Sequence, residues 1–243
     1  MKVRTLILQC LKIILAPLLI IQGRQIRAGT PRLEEAPGPR KGRHGQGEAK
    51  LRLLIVGDSA AAGCGLAHQS HALSCQVLDC FDSNWQLEWE LKARSGLTTS
   101  QVLEMLRASP PRTVDAVVTS LGVNDVKNGI ALAQWRRDQQ ALIRILTKKF
   151  KARYILLSAV PPMEKFPAHK PPLAWYLGLG AHFFNQTLAH LIRIQDPAGP
   201  QCRFIQPELP LDPKAMAADG FHPGPAIHRA WAQQIHRALL DLL

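Results

Sequence analysis

Leu51-Arg52-Leu53-Leu54-Ile55-Val56-Gly57-Asp58-Ser59 is the stretch on which the fold turns. Apolar except for one Arg and closed by a glycine, Leu51–Val56 has the pattern of a strand buried on both faces. Such strands belong to parallel sheets whose two faces are covered by helices. The residues that follow agree: Ala60–Cys80 is mostly helix-compatible after a Gly-containing turn. Further on, short apolar runs alternate with longer amphipathic stretches. Strands are expected at Trp85–Ala93, Val114–Ser120, Tyr154–Val160 and Cys202–Gln206. Helices are expected at Thr98–Ala108, with Thr98 or Thr99 as N-cap, and at Gly129–Phe150, Tyr176–Gln195 and Pro225–Leu242. Right-handed crossovers make a doubly wound sheet the default for this order. The expectation is a three-layer α/β/α sandwich with a mostly parallel five-stranded sheet, flavodoxin-like in arrangement. Ligands of such sheets sit beyond the carboxyl ends of the strands. Ser59, Gly96, Gly122–Asn124 and Asp219–His222 all fall there.

Upstream of Leu51 the character changes. Residues 6–22, LILQCLKIILAPLLIIQ, are strongly apolar and follow Lys2 and Arg4. A secretory signal would want a small-x-small cleavage site, whereas Gly23-Arg24-Gln25-Ile26-Arg27-Ala28 is crowded with Arg. A full span wants about 20 apolar residues, and this run is slightly short, with Lys12 and Pro17 inside it. A helix lying in the membrane interface, with Lys12 snorkelling, satisfies all of these features. The expectation for residues 1–28 is therefore a retained membrane-associated segment. A cleaved export signal and a helix packed on the folded domain are the alternatives. Residues 29–50, GTPRLEEAPGPRKGRHGQGEAK, have linker composition, and the folded domain is expected over 51–243.

With 243 residues, 47% hydrophobic and 20% charged, the chain carries enough apolar material for one folded domain plus an extension. Of the net charge of +12, residues 1–50 contribute ten Lys/Arg against three Glu. That asymmetry suits an anionic membrane surface. The basic stretch shows no zinc-finger spacing, basic heptads or aromatic platform, so nucleic acid is not expected as a partner. The five cysteines (Cys10, Cys64, Cys75, Cys80, Cys202) form no CxxC pair and suggest reduced thiols.

Ester cleavage needs a nucleophile, a base to deprotonate it and donors for the developing oxyanion. Ser59, directly after a buried strand and at the opening of a helix, suits the first role, although a strand-ending Ser is more often a turn or cap. Asp219-Gly220-Phe221-His222-Pro223 supplies the second. An Asp three residues before a His reaches one ring nitrogen across a turn and leaves the other free to accept the Ser59 proton. An isolated DxxH is more commonly a loop His beside a capping Asp. In Gly122-Val123-Asn124-Asp125 the Asn can aim its amide at an oxyanion, a contribution of about 3–4 kcal/mol for one donor. Taken alone that motif is usually a turn. Gly96 would donate its backbone N–H.

Together these motifs resemble the SGNH/GDSL hydrolase family: GDS at 57–59, a Gly after the second strand at 96, GxND at 122–125 and DGxHP at 219–223, in order, from about Leu51 to the C-terminus. The resemblance implies a serine ester hydrolase with Ser59 as nucleophile, His222 as base and Asp219 as its orienter. The oxyanion hole it implies is built from the N–H groups of Ser59 and Gly96 and the side chain of Asn124. GDSAAAGCG departs by lacking the Leu that often follows the Ser. Asp58 and Asp125 are then local hydrogen-bonders, and His68 and His71 belong to a solvated face rather than a metal site. No metal or cofactor is expected. The Pro-rich loop 161–172 follows the fourth strand, so Pro162, Met163, Phe166 and, behind it, Trp175 are the expected substrate wall. The implied substrate is an acyl ester or lipid-like molecule, with an O-acetyl ester of a cell-surface glycan as first alternative. A binding module that keeps the fold without turnover is the second.

Overall fold

The quoted apolar run is the heart of strand β2 (Ala49–Gly57), and its side chains alternate between two cores. Leu51, Leu53 and Ile55 enter one cluster, and Leu54 and Val56 enter the other. This is the period-two alternation of a strand covered on both sides. The computed structural model describes residues 2–29, 31–194 and 198–243. Its other strands are β1 (Lys41–His44), β3 (Trp85–Ala93), β4 (Ala116–Ser120), β5 (Tyr154–Ser158) and β6 (Gln201–Ile205). Their order across the sheet is β1-β3-β2-β4-β5-β6. All neighbouring pairs are parallel except β1 with β3.

Helices cover both faces. Leu73 and Val77 of α3 (Leu73–Leu78) and Trp231, Ile235 and Leu239 of α8 (Pro225–Leu240) join the core that holds Leu53 and Ile55. The other core takes side chains from α4 (Thr99–Ala108), α5 (Val123–Lys127), α6 (Leu132–Lys148) and α7 (Leu173–Arg193). Between β2 and α3 lies the four-residue helix α2 (Ser59–Ala62). The result is a three-layer α/β/α sandwich, and without β1 the strand order is the flavodoxin-like one. Its connections diverge from β2 toward β3 on one side and β4 on the other. The crevice at the carboxyl ends of β2 and β4 is thus the switch point where ligands bind.

Several boundaries depart from the sequence reading. The sheet has six strands, not five, because β1 lies within the stretch of linker composition. An edge strand needs only main-chain pairing, so its polar, mostly exposed side chains give no periodic signal. The helix expected over Ala60–Cys80 is α2, a 3-10 turn at Gln69–His71, and α3. That expected over Gly129–Phe150 begins only at Leu132, after the separate turn of α5. Helix α7 starts at Leu173, and Gln195, its expected end, lies outside the described residues, as does Met1. Cys10, Cys64, Cys75 and Cys80 are free thiols.

Helix α1 (Lys2–Gly29) contains a segment, Leu6–Ile26, long and apolar enough to cross a membrane. It also touches the α/β/α sandwich. The Gln22 side chain donates to the Pro171 carbonyl at 2.8 Å and accepts from the Leu173 N–H at 3.1 Å, while the Arg4 guanidinium lies over the Phe183 ring.

Candidate active site

Strand β2 ends where the chain must turn at once into α2, and this places Ser59 as the first helical residue. Asp58 caps the helix by accepting from the Ala60 N–H at 3.1 Å, and its own N–H donates to the Ser120 carbonyl of β4. Ser59 is thereby pinned between the two central strands. It is 7% exposed, and the surface it keeps belongs to a cavity of about 720 Å³.

His222 opens onto the same cavity. Asp219 organises the turn that carries it. One carboxylate oxygen accepts the N–H groups of Phe221 at 3.0 Å and His222 at 2.9 Å, and the other meets His222 Nδ1 at 2.5 Å. A carboxylate can only accept, so Nδ1 carries the hydrogen and Nε2 is left with a free lone pair. Burial pushes the Asp219 carboxyl up, but the hydrogen bonds from His222 and Phe221 outweigh it and hold the group below the usual carboxylate range. Asp219 therefore stays charged where the imidazole needs a counter-ion. The turn is braced by the Phe221 ring, edge-on to Phe166 at 5.4 Å between centroids.

Gly122 caps α5 with φ of +119°, and a Cβ there would sit 2.5 Å from Val160 and 2.9 Å from Trp135. Only glycine fits both the dihedral and the space. The turn brings Asn124 to Asp58: its Nδ2 donates to the Leu97 carbonyl at 3.0 Å, with Asp58 Oδ2 at 3.4 Å. The first bond is ordinary in length, whereas the second exceeds the usual range, so one N–H of the amide is only loosely engaged. Asn124 is buried beside the Ser59 turn. Gly96, exposed and at φ of +80°, lies between Ser95 and the Leu97 whose carbonyl Asn124 holds.

Two carboxyls lie under the site. Burial raises Asp58 to about 6, against the lowering effects of the Ala60 N–H and the neighbouring His222. Burial likewise raises Asp125 to about 6, although it accepts from the Thr99 N–H and hydroxyl and so ties α5 to α4. Both are local hydrogen-bonders in this geometry. His228 is fully buried, and burial lowers it to about 4.

Of the expected substrate wall, Pro162 and Phe166 face the cavity. Met163 does not, being fully buried in the core behind the loop, and Trp175 is 67% exposed on α7 away from the cavity. The remaining wall comes from elements that position in the sequence did not single out, among them Leu121, Val160, Ala181, Leu209, Met216 and Ile227. These stand at the ends of β4 and β5, on α7 and α8, and in the segment between β6 and α8. Placement just after a strand marks only Leu121 and Val160 in the sequence; the others share no sequence signal. His68 caps the 3-10 turn and contacts the Ser70 hydroxyl. Among the described residues no group of three or more His, Cys, Asp or Glu side chains is arranged to hold a metal ion.

Residues 55–230 match the model of the GDSL-like lipase/acylhydrolase family. A comparison with curated protein sequences finds no significant match. Among solved structures, esterase EstA from Pseudoalteromonas sp. is 16% identical, with a TM-score of 0.56 over 79% of this chain and 97% of that one. TesA is 22% identical, with a TM-score of 0.54 over 79% of this chain and 99% of that one. The acetylxylan esterase Axe2 from Geobacillus stearothermophilus is 15% identical, with a TM-score of 0.55 over 79% and 94% of the two chains. At these identities the likeness is one of fold.

Proposed function

Because this chain belongs to the GDSL-like lipase/acylhydrolase family, we propose that its ester hydrolysis runs through an acyl-enzyme on Ser59 and that its substrates are esters with an extended apolar acyl chain. Ser59 Oγ attacks the ester carbonyl while His222 Nε2 takes its proton. The charge that develops on the carbonyl oxygen is met by the N–H groups of Ser59 and Gly96 and by the loosely engaged N–H of Asn124. Collapse expels the alcohol with the proton from His222. Water, deprotonated by the same imidazole, then releases the acid and restores the hydroxyl. Asp219 stays ionised throughout and stabilises the imidazolium.

The cavity carries the choice of substrate. Its volume of about 720 Å³ far exceeds the needs of an acetyl group, and Leu121, Val160, Phe166, Leu209, Met216 and Ile227 give it apolar wall beside the polar Glu164, His182 and Asn185. Volumes of about 300–1,000 Å³ accommodate drug-sized apolar ligands. Each methylene moved from water into such walls contributes about 0.8 kcal/mol, or about fourfold in kcat/KM. A series of p-nitrophenyl esters tests this. The specificity constant is expected to climb by up to about fourfold per methylene from acetate until the cavity is filled. A maximum at acetate would instead favour an O-acetyl esterase.

The exposed apolar residues of α1, including Leu6, Ile13, Ile14 and Leu18, favour a membrane surface as the place of action. Docked along α7 by Gln22 and Arg4, this helix suits a position in the interface plane. Removal of residues 1–29 is expected to abolish partition onto anionic phospholipid vesicles. Unchanged partition would refute it.

A further inference from the structure

Residues 31–40 lie outside the family match, yet they pack against the segments that lead from Ser59 and into Gly96. This strap runs against the C-terminal end of α2, the helix that Ser59 opens. The Ala36 N–H donates to the Gly63 carbonyl at 3.2 Å, the Gly65 N–H to the Glu34 carbonyl at 2.9 Å, and the Gln69 N–H to the Pro37 carbonyl at 2.8 Å. The buried Gln69 amide closes the contact by donating to the carbonyls of both Ala36 and Ala62. Ala36 is buried. A segment that trades this many main-chain bonds with the C-cap of the nucleophile's helix and the turn after it is part of the domain.

From that position the strap reaches the loop after β3. Glu35 Oε1 accepts the Ser95 N–H at 2.6 Å, and Glu35 Oε2 pairs with the Arg40 guanidinium at 2.5 Å. Arg40 in turn donates to the Ala93 carbonyl at 2.7 Å. The Glu35–Arg40 pair thus grips Ala93 and Ser95, the chain leading directly into Gly96. Gly96 has no packing of its own: it is exposed, and a Cβ built on it would meet nothing within 4 Å. Its left-handed backbone is set by its neighbours, with Ser95 held by Glu35 on one side and Leu97 held by Asn124 on the other.

We infer that Glu35, braced by Arg40, is a positioning residue that aims the Gly96 N–H at the oxyanion. The inference rests on the reading of Gly96 as an oxyanion donor. A hydrogen-bond donor counts in catalysis only where it points at the place charge develops, and a misplacement of about 1 Å costs roughly 100-fold in rate. Glu35 would act at that level, on kcat and not on substrate capture.

The test uses the full chain with a p-nitrophenyl ester and compares wild type, Glu35→Ala, Glu35→Gln and Ser59→Ala. Glu35→Ala is expected to lower kcat by about 10- to 100-fold with KM within about twofold. Glu35→Gln keeps an oxygen for the Ser95 N–H and is expected to recover most of that loss. A folded Glu35→Ala with wild-type kcat, a loss confined to KM, or equal losses in Ala and Gln would overturn the inference. Should Glu35→Ala fail to fold, Arg40→Ala leaves the accepting oxygen in place. It is then expected to show a loss of several-fold in kcat alone, and unchanged kcat would overturn the inference. Hydrolysis that survives Ser59→Ala would instead sink the underlying reading of the site, so the two failures are told apart.

Discussion

Replacing Asp219 by Asn changes one atom type at the hinge of the proposed mechanism. In the native turn one carboxylate oxygen accepts from two backbone N–H groups while the other receives the Nδ1 hydrogen of His222 at 2.5 Å. An Asn keeps an oxygen for the backbone pair and turns its NH₂ toward Nδ1. A donor facing Nδ1 selects the tautomer whose hydrogen sits on Nε2, and that nitrogen no longer accepts the Ser59 proton. The charge that stabilises the imidazolium goes as well. Loss of the correct tautomer is worth about 10⁴ in kcat, or about 5 kcal/mol of barrier at 1.36 kcal/mol per decade. Because the backbone bonds survive, the melting temperature should move by only a few degrees. The acid limb of stability should flatten too. Asp219 is held below its ordinary range, so its stabilisation is present above the unfolded value and lost as pH falls through the folded one. The assay is steady-state hydrolysis of a p-nitrophenyl ester with a parallel thermal melt. A folded Asp219→Asn protein with kcat within tenfold of wild type, or a loss confined to KM, would refute the reasoning.

Asp58 titrates with the opposite sign. Its folded value, raised to about 6 by burial, exceeds the ordinary value of about 3.9, so its contribution is full below that value and lost as pH rises through about 6, a change of about 3 kcal/mol. Urea unfolding at pH 4 and pH 8 should therefore show a smaller drop for Asp58→Asn than for wild type, with Asp125 supplying a residual slope; equal drops would contradict this. Gly122→Ala places a Cβ 2.5 Å from Val160 at a φ of +119° and should cost about 2–4 kcal/mol by overpacking and backbone strain. Gly96→Ala meets nothing within 4 Å and should cost only about 1 kcal/mol; paired thermal melts check the ranking, and equal losses would contradict it.

How much was legible in the sequence depended on the kind of force involved. Strands β2 and β5 announce themselves because burial on both faces demands continuous apolar runs. Trp85–Ala93 was bounded correctly because one face of β3 is more exposed, which leaves a period of two. Of the two N-cap candidates, Thr98 is the one that caps α4, and the structure adds a capping box with Gln101. The Asp219–His222 pair was readable because three residues of spacing fix its geometry locally. What escaped depends on partners distant in sequence. Strand β1 has no apolar face, and the strap holds on through main-chain bonds and a few side-chain-to-backbone bonds, none of which leaves a compositional trace. The cavity wall assembles from strand ends and helices far apart in the chain. Position alone selected Pro162 and Phe166, and it could not tell their inward rings from the buried Met163 or the outward Trp175.

The account stands on Ser59 being the reacting nucleophile, and covalent trapping measures that directly. The full-length protein is treated with a fluorophosphonate, the adduct is counted and placed by peptide mass spectrometry, and residual hydrolysis is measured alongside. One adduct per chain on Ser59, disappearing together with hydrolysis in Ser59→Ala, is the predicted result. An adduct on another residue, or a Ser59→Ala protein that still turns over ester, would contradict it.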